Sequence, residues 1–192
     1  MKAAAAIGQH TYTNRPTTRI TLDQQASPLK TGTVYIKNFY VASGPQSAYT
    51  AGLSYSGKGF WFVNISANYF ANNWLDFFPE RRTNEAISLV DNPITSEQVV
   101  TRNSDLYNEI IFQEKAPAAF TLDFFGGKSL KINKTFLYLQ LGVSNILDNQ
   151  ELITGGFEQY RFDFQDKNVN KFQNRYFYGL GRTYFLNLSF RI

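Results

Sequence analysis

The sequence predicts an all-β fold: a segment of an antiparallel, up-and-down transmembrane β-barrel, of about six strands with long extracellular loops and incomplete as a barrel. Three observations predict it. At the carboxyl end, Tyr184, Leu186, Leu188, Phe190 and Ile192 alternate with Phe185, Asn187, Ser189 and Arg191, the period of a strand with one apolar face. Residues 60–78 alternate for longer than the ~9–11 residues that a tilted strand needs to cross a bilayer. The connections between strand patterns run long, short, long, short, long, as the outer loops and inner turns of membrane barrels do. Alternation by itself serves the last strand of a soluble sandwich equally well.

The bulk numbers fit one domain and narrow the chemistry. In 192 residues, charged side chains make up 18% and aromatics 17%, against the ~25% charged of an average domain. With no cysteine and one histidine, His10, disulfide frameworks, multi-histidine metal sites and most triads are excluded. The net charge of +4 is modest and the basic residues are scattered, so no nucleic-acid partner is expected. No apolar run approaches the ~20 residues of a transmembrane helix. The opening Met1-Lys2-Ala3-Ala4-Ala5-Ala6-Ile7-Gly8 is too short in its apolar part for a signal peptide.

In chain order, residues 2–12 form a weakly patterned first strand, and 13–32 a loop marked by Asn14-Arg15-Pro16, Asp23-Gln24-Gln25 and Ser27-Pro28. Residues 34–55 read as one long strand kinked at Ser43-Gly44-Pro45, the odd positions Tyr35, Phe39, Val41, Tyr49, Ala51, Leu53 and Tyr55 sharing a face; two strands with a turn at Gly44-Pro45 is the alternative. Ser56-Gly57-Lys58-Gly59 is a tight hairpin turn. In 60–78, Trp61, Val63, Ile65, Ala67, Tyr69, Ala71, Leu75 and Phe77 face one way, and Asn64, Ser66, Asn68, Asn72 and Asp76 the other among Phe60, Phe62, Phe70 and Trp74. Aromatics gather near both ends, with Trp61, Tyr69, Trp74 and Phe77 as candidates for interfacial girdles.

Residues 79–117 are a long polar connection, with Thr95 and Gln98 spaced as a capping box; compact soluble domains rarely carry so long a connection. Residues 118–125 form the next strand, with Phe120, Leu122 and Phe124 on its apolar face, and Gly126-Gly127-Lys128-Ser129 turns the chain. The returning strand carries Leu137, Leu139, Leu141 and Val143 against Tyr138, Gln140, Gly142 and Ser144, and Asn145-Ile146-Leu147-Asp148-Asn149 ends it. Residues 150–176 are a third long loop before the closing strand. Both short turns then fall on the periplasmic side, with the carboxyl end beside them.

Some single features carry two readings. Arg15, Arg81 and Arg82 sit where strands meet long loops; they contact lipopolysaccharide phosphates or, more commonly for surface charges, are solvated. Asn64, Asn68, Asn72, Asp123 and Gln140 line a polar lumen, a sugar-binding row being the alternative. Gly179 and Gly181 lack the strand-turn-helix context of a nucleotide loop. Asp163 and Asp166 sit in a loop without a histidine beside them. No residue is assigned a catalytic, cofactor-binding or metal-ligating role, and no enzyme activity is expected.

Several stretches together resemble the carboxyl-terminal barrel of bacterial TonB-dependent outer-membrane receptors, the subgroup that often carries a carboxypeptidase-regulatory-like domain at its amino end. They are Tyr12-Thr13-Asn14-Arg15-Pro16, Val34-Tyr35-Ile36-Lys37-Asn38-Phe39-Tyr40-Val41, Ala67-Asn68-Tyr69-Phe70 and Gly155-Gly156-Phe157-Glu158-Gln159. The most specific are Gly142-Val143-Ser144-Asn145-Ile146-Leu147-Asp148-Asn149 and the closing stretch opened by Gly181-Arg182-Thr183. The resemblance implies that Tyr184, Leu186, Leu188, Phe190 and Ile192 form the barrel-closing strand read by the assembly machinery, although the family usually ends in an aromatic. It also implies uptake of a scarce nutrient (a ferric chelate, a cobalamin or an oligosaccharide) across the Gram-negative outer membrane, with energy delivered by the TonB complex through an amino-terminal part. The plug and the earlier strands of the family are absent from residues 1–192. The smallest single-chain barrels have ~8 strands, and unpaired edges are not tolerated in hydrocarbon, so the chain is expected to be a fragment. A soluble, lectin-like β-barrel or sandwich is the alternative.

Overall fold

The computed structural model describes residues 1–23, 27–88 and 100–191. The capping box of Thr95 and Gln98, the turn residues Gln24-Gln25, and Ile192 lie outside the described residues. Where apolar and polar side chains alternate, the chain is a strand. Six strands build one sheet: β1 (Lys2–Ile7), β4 (Ser47–Gly57), β5 (Trp61–Ala71), β6 (Ala119–Ile132), β7 (Thr135–Ser144) and β10 (Thr183–Arg191), side by side in that order and all antiparallel. The sheet is open. Among the described residues, no strand pairs with the outer edge of β1 or of β10.

The short turns after β4 and β6 lie at one end of the sheet and the three long connections at the other. Gly59 and Phe60 take up the first turn at φ 94° and 57°, and Asn133 the second at φ 57°; only the left-handed region reverses a strand in so few residues. The long connections fold into a cap. They hold two small hairpin partners outside the main sheet, β2 (Thr17–Ile20) with β3 (Lys30–Thr33) and β8 (Ile153–Phe157) with β9 (Arg175–Tyr178). A 3₁₀ turn (Pro79–Arg82), α1 (Asn84–Ile87) and α2 (Asp105–Ile111) complete it, α2 starting where the Ser104 side chain accepts the Tyr107 N–H.

Burial is inverted relative to an ordinary β domain. Of the six sheet strands, only Ser47, Ala119, Thr121 and Gly126 are buried among the described residues. The apolar core lies in the cap instead. Phe78, Ala86, Val100, Ile110 and Phe162 form one cluster; Val34, Ile36 and Phe77 form a second, closed by Tyr12 and Phe39. Side-chain amides stand in for ladder hydrogen bonds where the chain is irregular. Gln46 accepts from the His10 N–H (2.9 Å) and donates to the His10 carbonyl (3.0 Å), and Gln113 does the same with Tyr40 at 2.8 Å each way.

Four expectations are corrected. Residues 34–55 are not one kinked strand: residues 34–46 leave the sheet, because Val34 and Ile36 are buried against Phe77, and the strand begins at Ser47. The alternation of 60–78 does not make one strand of that length. β5 stops at Ala71, Asn72 turns at φ 56°, and Leu75, Phe77 and Phe78 plunge into the cap core. Gly126-Gly127-Lys128-Ser129 is not a turn: β6 runs through it to Ile132. The long connections are not merely polar loops, since they carry the core.

Candidate functional site

The register places every apolar row of the six strands on one face. In antiparallel pairs, directly opposed residues share a face. Leu186, Leu188 and Phe190 oppose Leu141, Leu139 and Leu137; Val143 and Leu137 oppose Phe124 and Leu130. Phe124, Leu122 and Phe120 oppose Ile65, Ala67 and Tyr69, which oppose Leu53, Ala51 and Tyr49. This face is exposed: Leu186 is 69% accessible, Phe190 67% and Leu53 61%. An exposed apolar area spanning six strands is far larger than the few hundred Å² that soluble monomers show.

Aromatics border this face. Toward the short turns, the Tyr55 and Trp61 rings lie 5.2 Å apart. Trp61 packs over Gly57, where an added Cβ would come within 2.2 Å of the indole, so glycine there gives the ring its seat. Toward the cap, Tyr49 and Tyr69 lie 6.2 Å apart beside Phe120. From Trp61 to Tyr69 the strand advances about 26 Å at ~3.3 Å per residue, or about 20 Å along the normal of a sheet tilted by ~40°, against an apolar band of ~25 Å in membrane barrels. Strands β4, β5, β6, β7 and β10 have 11, 11, 14, 10 and 9 residues, enough for each to cross.

Of the girdle candidates, Trp61 and Tyr69 lie on the apolar face, and Trp74 and Phe77 do not. Phe77 is 6% exposed, with its ring edge-on to Tyr12 and Phe39 at 5.4 and 5.3 Å. Trp74 stacks on Tyr40 at 4.2 Å, with the Lys115 ammonium over its ring. The strand ends before both, so neither ring reaches the face. Tyr184, Leu186, Leu188 and Phe190 sit in β10 at the open edge of the sheet.

The opposite face is mixed: by register it carries Phe62, Phe125 and Phe185 as well as polar side chains, and several of the polar ones bond to one another. Asn68 accepts from the Thr50 hydroxyl (2.8 Å) and donates to the Thr121 hydroxyl (3.3 Å) and the Asp123 carboxylate (2.8 Å). Asp123 also accepts the Asn145 N–H at 2.8 Å, and Asn187 donates to Gln140 at 3.3 Å. Asn64 shares this face by register, whereas Asn72 lies past the end of β5 and donates to Ser47.

In the cap, Arg82 is no solvated loop charge. Its side chain is fully buried, forms a bidentate pair with Glu158, and donates to the carbonyls of Ile111 and Phe112 at 3.2 and 2.8 Å. The guanidinium lies over Phe39 and Phe77 of the second cluster and donates to the carbonyl of Phe78 in the first at 3.4 Å, so it joins the two. Arg81 also packs into the cap, and burial pulls its guanidinium below the usual arginine value against the attraction of Glu158. Sequence reasoning missed this pair; the doubled arginine at the start of an apolar-flanked segment was its visible half. Asp163 pairs with Lys171 at 2.7 Å and accepts the Asp166 N–H, which gives the Asp163 carboxylate a structural task. Arg15 lies over Tyr35 and borders, with Arg82, Arg102 and Tyr107, a cavity of about 540 Å³. Among the described residues, no group of three or more histidine or acidic side chains is placed to hold a metal.

Compared with family models, with curated proteins and with solved structures, the chain matches none.

Proposed function

We propose that this chain is a wall segment of an outer-membrane transport barrel of the TonB-dependent receptor kind. The observation that carries the reading is a continuous exposed apolar face on one six-stranded meander, backed by a mixed face with a hydrogen-bonded row of polar side chains, while the true core lies in the cap. Hydrocarbon covers the apolar face, the mixed face borders a lumen, and further strands pair with the free edges of β1 and β10, because a bilayer does not tolerate open ladders. The cap faces outside and the short turns face the periplasm. Uptake of a scarce nutrient with TonB-coupled energy rests on the sequence resemblance, and the cavity beside Arg15 and Arg102 is where the cap offers room for a ligand. The soluble-module alternative would have to cover the apolar face with protein.

The two tryptophans supply the test, since Trp61 lies on the apolar face and Trp74 in the cap. In vesicles containing brominated lipid, the Trp74→Phe chain, which keeps Trp61, is expected to be strongly quenched, and the Trp61→Phe chain only weakly. Equal quenching of both, or of neither, would sink the membrane reading.

A further inference from the structure

We infer that the short-turn rim of the sheet docks on an anionic lipid leaflet. The inference rests on the membrane reading above and adds the headgroup chemistry. Five basic residues mark this rim: Lys58 and Lys134 in the two turns, Lys128 and Lys131 in the last part of β6, and Arg191 at the end of β10. All five are exposed. Every acidic side chain of the sequence except Asp123 belongs to the three long connections, and Asp123 sits mid-sheet opposite Ser66. The rim therefore carries basic side chains with no acidic ones on its strands. In the cap, charges of both signs intermix, and pairs such as Arg82 with Glu158 and Lys171 with Asp163 neutralise each other locally.

One of the rim charges continues the apolar band. Lys128 occupies the apolar face of β6, directly between Trp61 and Leu139. Its stem covers apolar surface while its ammonium reaches past the band toward headgroups. Lys131 and Arg191 stand on the opposite face of the same rim, where the Lys131 ammonium lies 5.6 Å from the centre of the Phe136 ring and Arg191 opposes Phe136 across the β7–β10 pair. Tyr55 and Trp61 border the apolar face at this level, and cations just beyond such rings match a surface of lipid phosphates bearing net negative charge. Each basic residue close to such a surface favours binding by roughly fivefold, and the attraction is screened within a Debye length.

The test uses the full chain diluted from detergent into vesicles of phosphatidylcholine alone or with phosphatidylglycerol, with binding read by flotation. Wild type is expected to prefer the anionic vesicles by about tenfold or more at low salt, and to lose most of that preference at high salt. Combining Lys58→Gln, Lys128→Gln, Lys131→Gln and Lys134→Gln should abolish the preference and leave binding to neutral vesicles intact. Combining Arg19→Gln, Lys37→Gln and Arg161→Gln, all exposed in the cap, should leave the preference unchanged. Equal binding of wild type to both vesicles overturns the rim inference and leaves the membrane reading standing. Failure to bind either vesicle overturns both. Charge-dependent capture by soluble polyphosphate without a preference for anionic vesicles overturns the lipid assignment in favour of a soluble polyanion.

Discussion

At the scale of single residues, the cap hangs on Arg82 and Glu158. Two opposite charges buried together offset each other's desolvation only while both are present. Glu158 also accepts the buried Phe78 N–H at 2.9 Å, so its carboxylate serves both the arginine and the backbone. Glu158→Gln strands the guanidinium among Phe39, Phe77 and the backbone. The expected loss is about 3–5 kcal/mol of cap stability, read as faster hydrogen exchange in α2 and in the 79–88 segment while the sheet amides are little changed. Replacing both partners, Arg82→Met with Glu158→Leu, should recover much of it, since a matched apolar pair has no charge to bury. If the double variant is as damaged as the single one, Arg82 matters for more than its charge balance.

At the scale of elements, the junction between β7 and β10 explains the motif that sequence reading found most specific. Asn145 takes φ 52° and Asp148 φ 55°, a tight reversal that asparagine and aspartate accept more readily than most residues. The Asn145 side chain donates to the carbonyls of Asn149 and Leu180 at 3.0 and 3.3 Å, and Asp148 accepts the Arg182 N–H at 2.8 Å. Gly181 is pressed so close that an added Cβ would stand 2.7 Å from the Asp148 carboxylate. The motif therefore clamps the start of the closing strand in register. The Arg182 N–H holds the Asp148 carboxyl below its usual value. A lowered folded value means that the contribution is present above the ordinary carboxylate range and is lost as pH falls through the folded value. Asp148→Ala should accordingly lower the urea midpoint at neutral pH, and its difference from wild type should shrink in acid. A difference independent of pH would show that the carboxylate charge is not what holds the strand.

At the scale of the whole molecule, the sheet has two free edges and one uncovered apolar face, a combination that water penalises. In detergent the face is covered and the edges are not. The isolated chain is therefore expected to associate edge to edge, giving species larger than a monomer in analytical ultracentrifugation. Leu186→Pro in β10 removes a backbone donor and disrupts that edge, and should reduce the association. A stable, concentration-independent monomer would count against edges that require further strands.

The sequence by itself determined the strands of the sheet and their sidedness. Period-2 alternation in 61–71, 135–144 and 183–191 is local, and a strand obeys it whatever surrounds it. The short turns leave β4 with β5, and β6 with β7, as partners, whereas the pairs β1–β4, β5–β6 and β7–β10 form across long connections. The basic residues read as scattered along the sequence, and only the strand register gathers Lys58, Lys128, Lys131, Lys134 and Arg191 at one end of the sheet. What only the tertiary structure decided is where alternation stops mattering. Leu75 and Phe77 continue the parity of β5 on paper, yet they are buried in the cap because residues 34–39 and 156–162 fold back to meet them. Arg82 reads as a surface charge until a carboxylate 76 residues away is brought to it. Burial in the cap depends on contacts between distant connections, and a one-dimensional pattern carries no information about which distant segments will meet.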